Sequence, residues 1–251
     1  MEVRERRALD RGVCVITGGG RGIGAATARQ AASAGWRVCL SWNADREAAE
    51  VVADEIGGLA VRADVSVDAD VRALFGTAAG MGAVTAAVAN AGIVAARARL
   101  DQMEVERMRR VLEVNVLGVM LTAREAVRLM STRHGGAGGA IVTVSSAASR
   151  LGSPHEYVDY AASKGAVDSF TVGLAREVAA EGIRVNAVRP GIVETDLHAR
   201  SGQPDRVARL GPLAPVGRAG RPDEIAAAIV WLLGDDSPYT TGAVLDVSGG
   251  R

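Results

Sequence analysis

The sequence predicts an α/β fold, a single doubly wound parallel sheet of about seven strands with helices on both faces. Three observations predict it. Short apolar runs rich in β-branched residues alternate with helical patterns along the whole chain, the signature of βαβ units. Runs such as AAVAN (86–90) and AIVTV (140–144) are continuously apolar, as strands covered on both sides must be. The first run passes through a glycine turn straight into an Ala-rich helical stretch. At 251 residues and 48% hydrophobic content, the chain can bury one large core, so residues 1–251 are expected to form one domain.

The strands are expected at 12–17, 37–42, 58–63, 84–90, 140–145, 184–189 and 243–247. Between them, helical patterns cover 23–34, 45–56, 68–79, 103–133, 157–181 and 222–233. Asp45 stands where an N-cap would. GGAGGA at 135–140 reads as a flexible turn, and no repeat or low-complexity tract interrupts the chain. The longest irregular stretch is 191–220, after the sixth strand. Open α/β sheets bind ligands at that end of their strands, and a connection of this length acts as a lid over a substrate.

Composition excludes several classes of function. The formal net charge is +0 with no basic block, so nucleic acid is not an expected partner. The first dozen residues are charged and carry no apolar signal core, and no run is long enough to span a membrane. Cys14 and Cys39 fall inside strand candidates and read as small buried apolar groups, consistent with a reducing, cytoplasmic setting. His134, His155 and His198 show no ligand spacing, so no metal site is expected.

Two segments carry chemistry. In VITGGGRGIGAATARQ, Gly18, Gly22 and Gly24 permit a tight strand-to-helix turn and close approach of backbone to a ligand. The helix that follows offers free N–H groups and a positive dipole end to a pyrophosphate. In YAASK, Tyr160 and Lys164 are four apart, one above the other on a helix face. An ammonium beside a phenol favours the phenolate, drawing a reference pKa of about 10 toward neutrality. With Ser146 upstream, such a phenol suits proton transfer to or from an oxygen on a carbon that exchanges hydride. Tyr157 is the rival phenol, two helical turns from Lys164.

TGGGRGIG (17–24), NAG (90–92), Asn115 in VLEVNVLG, Ser146, YAASK (160–164), RPGIVETD (189–196) and the closing TTGAVLDVSGG occur in the order of the short-chain dehydrogenases/reductases. The chain resembles that family over practically its whole length, among members such as 3-oxoacyl carrier-protein reductases and glucose or polyol dehydrogenases. The resemblance implies a Rossmann-type NAD(P)(H)-dependent oxidoreductase acting on secondary alcohols or ketones. By it, Tyr160 is the general acid/base and Ser146 hydrogen-bonds the substrate oxygen. Lys164 lowers the tyrosine pKa and holds the nicotinamide ribose, and Asn115 marks a break in the long helix, in a proton relay to Lys164. The cofactor would lie on Gly18, Gly20, Arg21, Gly22, Ile23 and Gly24, then on Asn90, Ala91 and Gly92. Asp64 and Val65 would flank the adenine. Pro190, Gly191, Val193 and Thr195 would meet the nicotinamide end.

Ser146 precedes Tyr160 by fourteen positions, one more than is commonest in the family, and the extra residue is expected in the loop RLGSPHEYVD. Ala89 replaces a second asparagine before NAG, with little expected effect. The end of the second strand carries Trp42 in place of an acidic residue. Arg21, supported by Asn43 and Arg46, matches the basic residue that meets a 2′-phosphate, so NADP(H) is expected over NAD(H); Asp45 is the carboxylate that would reverse this. Leu197, His198, Leu210 and Leu213 from the lid, with His155 and Glu156 from the rim, leave the substrate open among sugars, β-oxoacyl thioesters, steroids and small ketones. Apolar stripes on the helices at 103–133 and 157–181, taken with the resemblance, lead to a homotetramer. A cofactor-binding sensor without turnover is the rival reading; the Asn115, Ser146, Tyr160 and Lys164 set argues against it.

Overall fold

The computed structural model describes residues 11–251, so the reading of the charged start of the chain falls, for residues 1–10, outside the described residues. Seven strands form one sheet: β1 (Val13–Ile16), β2 (Arg37–Trp42), β3 (Leu59–Arg62), β4 (Val84–Ala89), β5 (Gly139–Val144), β6 (Ile183–Pro190) and β7 (Val244–Val247). Their order is β3-β2-β1-β4-β5-β6-β7 and every pairing is parallel. The order reverses between β1 and β4, where Ile16 pairs with Leu40 on one side and Val88 on the other. A crevice opens beyond the carboxyl ends of strands at such a reversal.

Alternation along the strands distributes the core. Cys14, Ile16, Val38 and Leu40 face one layer, built from α1 (Gly22–Ser33), α2 (Arg46–Ile56) and α10 (Pro222–Leu233). Val13, Val15, Cys39 and Ile141 face the other. That layer is built from α3 (Asp68–Met81), α5 (Gly118–Met130) and α7 (Val158–Val178). The two cysteines therefore lie on opposite faces, and burial pushes both thiols up, Cys39 to about 11. Local signals set the helix ends. Asp45 caps α2 by accepting from Ala48 N at 3.1 Å, and Gly57 closes it at φ 62°. The first turn of α1 has no side-chain cap, which leaves its N–H groups for a ligand.

The helical pattern at 103–133 is interrupted at Asn115, where the resemblance implies a break: α4 (Val105–Leu112) runs into a π-helical turn (Glu113–Leu117), then into α5. The break holds Asn115, whose Oδ1 accepts from Ile93 N at 2.8 Å while Nδ2 donates to Ile93 O at 2.9 Å. The wider turn carries the side chain that fixes the loop after β4, and π-bulges are frequent at functional sites. The stretch 191–220 is not irregular throughout, since it contains α8 (Leu197–Arg200), α9 (Arg206–Leu210) and a 3-10 turn (Gly211–Leu213). A further short helix, α6 (Ala148–Leu151), lies just after β5. No described helix is long and apolar enough to cross a membrane, and no described cluster of His, Cys, Asp and Glu could hold a metal.

Candidate active site

The ends of β1, β4, β5 and β6 open into a cavity of about 700 Å³. Its floor is a cross-link between two turns. Thr17 Oγ1 accepts from Asn90 N and Ala91 N at 3.0 and 3.1 Å. Asn90 Nδ2 returns bonds to Thr17 O and Gly18 O at 2.9 and 3.0 Å. This closeness requires glycine. A Cβ on Gly18, which sits at φ +66°, would stand 3.1 Å from Ala91 Cα, and one on Gly24 would stand 2.2 Å from Gly18 O. The bare backbone leads into the uncapped start of α1, a cradle suited to a pyrophosphate. Gly18, Gly22, Ile23, Asn90, Ala91 and Gly92 line the cavity, whereas Gly20 packs on Ala49.

At the far end of this cradle, Val65 is buried and Asp64 is held tightly. Burial opposes the Asp64 charge, but hydrogen bonds from Ser66 and Arg110 overcome it and hold the carboxyl at about 2. Asp64 Oδ2 accepts from Arg110 Nη2 at 2.8 Å and from Asn43 Nδ2 at 3.2 Å. Arg21 lines the cavity, engaged with Asp45 at 2.8 Å and with Asp196 at 3.7 Å. Its hydrogen bond holds the Asp45 carboxyl below its ordinary value. Arg46 is not brought in: it pairs with Glu50 one turn along α2, at 2.7 Å, and does not line the cavity.

At the reactive end, α7 brings Tyr160 and Lys164 to the cavity beside Ser146. The Lys164 ammonium lies 5.7 Å from the centre of the Tyr160 ring and donates to Val144 O at 2.7 Å. Burial pulls its pKa down to about 8, against the opposing charge of Asp168. The expected lowering of Tyr160 by Lys164 is corrected. Surrounding protein desolvates the phenol and raises its pKa, while hydrogen bonding by Ser146 and the charge of Arg206 pull the other way. The ammonium lies against the ring and bonds to a strand carbonyl, which explains its small effect on the hydroxyl. Ser146 Oγ accepts from Ala148 N at 3.1 Å, whereas Ser145 is buried and donates to Lys164 O. Asn115 stays behind this wall, its side chain also 3.1 Å from Ser163 Oγ. Both Asn115 Oδ1 and Lys164 Nζ lie within 3.5 Å of where a Gly92 Cβ would stand.

The rim and lid complete the cavity. Ser153 and His155, at φ 45° and 62°, are the non-glycine residues in the left-handed region among those described. Both lie in the loop where the extra residue was expected, and non-glycine residues adopt this conformation uncommonly. Tyr157 is buried, and its hydroxyl accepts from Gln203 Nε2 of the lid, so this phenol is tied to the lid. Pro190 at the end of β6 and Gly191, Val193, Thr195 and Leu197 of the segment 191–220 line the cavity; Leu210 and Leu213 do not, nor does His155 on the rim. The His198 side chain lies outside the described residues. Sequence reasoning missed Arg110 and Arg206 as lining residues. Nothing local separates Arg206 from Arg200, Arg209 and Arg218 in the same segment.

The parallel order, the glycine cradle at the strand reversal and the Tyr–Lys face on α7 define a nicotinamide-binding oxidoreductase of the Rossmann type. The chain belongs to the short-chain dehydrogenase/reductase family. The family model for enoyl-(acyl carrier protein) reductase matches residues 18–251. An uncharacterized oxidoreductase of Escherichia coli strain K12, YgfF, is 48% identical over 246 residues, covering 95% of this chain and 99% of that one. A cis-4-hydroxycyclohexanecarboxylate dehydrogenase of Sinomonas cyclohexanicum is 41% identical, covering 95% of each. The crystal structure of 3-ketoacyl-(acyl-carrier-protein) reductase from Brucella melitensis, complexed with NADH, superposes at TM-score 0.89 with 35% identity. It covers 96% of this chain and 98% of that one.

Proposed function

We propose that this oxidoreductase moves hydride between a nicotinamide cofactor and a secondary alcohol or ketone, with Tyr160 as general acid/base. The observation that carries the reading is the convergence of Tyr160, Ser146 and Lys164 on one cavity wall beside the glycine cradle. The residues fit the cofactor: glycine at 18 and 24 lets the turn after β1 close tightly on Asn90 and Ala91, and the start of α1 offers free N–H groups to phosphate. When bound, the nicotinamide donates or accepts the hydride. Tyr160 Oη holds the proton that the substrate oxygen gains or loses, and the raised pKa of the free site keeps that proton in place until substrate arrives. Ser146 steadies the developing charge on the same oxygen. Lys164 holds the ribose hydroxyls and supplies positive charge beside the ring. Asn115 fixes the Ile93 backbone and the broken helix behind Lys164, where its own carbonyl would hold the water of a proton relay.

The same reading assigns NADP(H) over NAD(H), with Arg21 turning from Asp45 to the 2′-phosphate and Asn43 beside it. The segment 191–220 acts as the lid of a one-domain enzyme, and the exposed Leu112, Leu117 and Met120 along α4 and α5 support assembly as a homotetramer, which light scattering tests. The test of the reaction is Tyr160→Phe, assayed for ketone reduction by nicotinamide absorbance. The expected loss in kcat is about 10²- to 10⁴-fold, with NADPH affinity kept within a factor of about three. Retained turnover sinks the assignment of the proton to Tyr160. Tight NADPH binding with no turnover of any ketone or alcohol by the unmodified protein favours a sensor.

A further inference from the structure

A guanidinium is buried in the wall of the cavity, and one of its nitrogens has no partner among the described residues. Arg206, the first residue of α9, lines the cavity and is 6% exposed. One face of its guanidinium lies over the Tyr157 ring, Cζ to centroid 5.1 Å. Both hydrogen bonds it donates to described residues leave from Nη1, to Glu156 Oε2 at 2.7 Å and to Gln203 Oε1 at 3.3 Å. Nε is buried with no partner among the described residues. Nε and Nη2 form the side-on edge of the fork that matches a carboxylate with two parallel bonds. A buried donor without a partner calls for an explanation, and here a ligand supplies it.

The charges agree with an anion. Glu156 is shared between Arg206 and Arg97, the latter at 3.9 Å, so the cluster holds two guanidiniums against one carboxylate. Arg251 lines the same cavity, and its Nη1 is likewise buried with no partner among the described residues. We propose that Arg206 is the anionic anchor of the substrate site, which takes an oxo or hydroxy acid whose carboxylate docks on the Nε–Nη2 edge while its carbonyl or carbinol lies at Tyr160. The inference rests on the proposed ketone–alcohol chemistry and names the substrate class for it. The charge of Arg206 also reaches the Tyr160 phenol and draws its pKa down, consistent with an anchor near the reacting oxygen.

The test compares acids with neutral isosteres of the same shape, with NADPH saturating: 4-oxocyclohexanecarboxylate against its carboxamide, and 4-oxopentanoate against 4-oxopentanamide. The unmodified protein is expected to favour at least one acid over its amide by about 10- to 100-fold in kcat/KM, the range of one charged bidentate contact. In Arg206→Gln that ratio is expected to fall to about one, chiefly through the KM of the acid. Arg206→Lys, which keeps the charge and loses the fork, falls between. NADPH titration shows that each variant is folded, and the ratio in the unmodified protein stands without any variant. Equal turnover of acid and amide in both pairs overturns the inference and leaves the oxidoreductase reading intact. A ratio that survives in Arg206→Gln overturns it too, since Arg206 would then only latch the lid. Turnover of neither acid nor amide nor any other ketone overturns the inference together with the reading beneath it.

Discussion

The two halves of the cleft are held together by different means. The cofactor half joins side chain to backbone: the Thr17 hydroxyl and the Asn90 amide stitch the turns after β1 and β4 through their main-chain groups, and glycines fit where no side chain can. The substrate half joins side chain to side chain: Glu156 and Tyr157 on the rim meet Arg206 and Gln203 on the lid. Backbone cradles suit one fixed ligand shape, whereas a side-chain latch can be changed without disturbing the sheet. The difference teaches that cofactor and substrate recognition are separable here.

The comparison breaks first at its stiffest point. Gly24→Ala puts a methyl group against Gly18 O and is expected to weaken NADPH binding by roughly 30-fold, about 2 kcal/mol, within the usual cost of overpacking. Gly202→Ala, in the lid with open space around it, is expected to leave NADPH affinity within about twofold despite some strain from its φ of +83°. Fluorescence titration reads both, and equal losses would end the distinction.

At the adenosine end, Arg21→Ala is expected to lower kcat/KM for NADPH by about tenfold, the size of one charged hydrogen bond, with NADH affected less. Asp45→Ala, which releases Arg21 from its 2.8 Å pair, is expected to shift preference further toward NADPH. A loss of NADH use in Asp45→Ala, or NADPH use unchanged in Arg21→Ala, would favour NAD(H) as the cofactor. On the substrate side, Tyr157→Phe removes the bond from Gln203 and is expected to raise substrate KM about fivefold, near 1 kcal/mol. The kcat should be largely kept. Two phenols three positions apart would then differ in kind, one moving a proton and the other closing a lid.

The smallest effect comes from Lys164. Its pKa of about 8 lies below the ordinary value of 10.5, so the unfolded chain binds that proton more tightly. The cost of burying the charge is full below pH 8 and is relieved as pH rises toward 10.5, so this group makes the fold more stable across that window. Its contribution to cofactor binding has the opposite sign, because the proton given to the ribose contact is lost above 8. NADPH affinity is expected to fall roughly threefold between about pH 7.5 and 8.5, and a flat profile would remove Lys164 from the ribose.

Seven strands, the glycine turn and the spacing of Tyr160 from Lys164 were all legible, because each depends on near neighbours in the chain. Steric freedom at Gly18 and Gly24, periodicity in the strands and one helical turn in YAASK are local facts. The break at Asn115 came from resemblance and has a tertiary cause, a side chain bonded across to Ile93. What pattern could not reach was any contact across long separations: Arg21 with Asp45 in place of an empty phosphate site, Arg206 beside Glu156, Tyr157 beneath the lid. The opposite shift of the Tyr160 phenol belongs here too. Proximity in sequence puts an amine near the ring, but desolvation by the surrounding protein, against the pull of Ser146 and Arg206, decides how the hydroxyl titrates. The sequence by itself determined which groups are present and their order along the sheet. The tertiary structure decided which of those charges meet and how much water reaches them, because desolvation and ion pairing depend on distance in space.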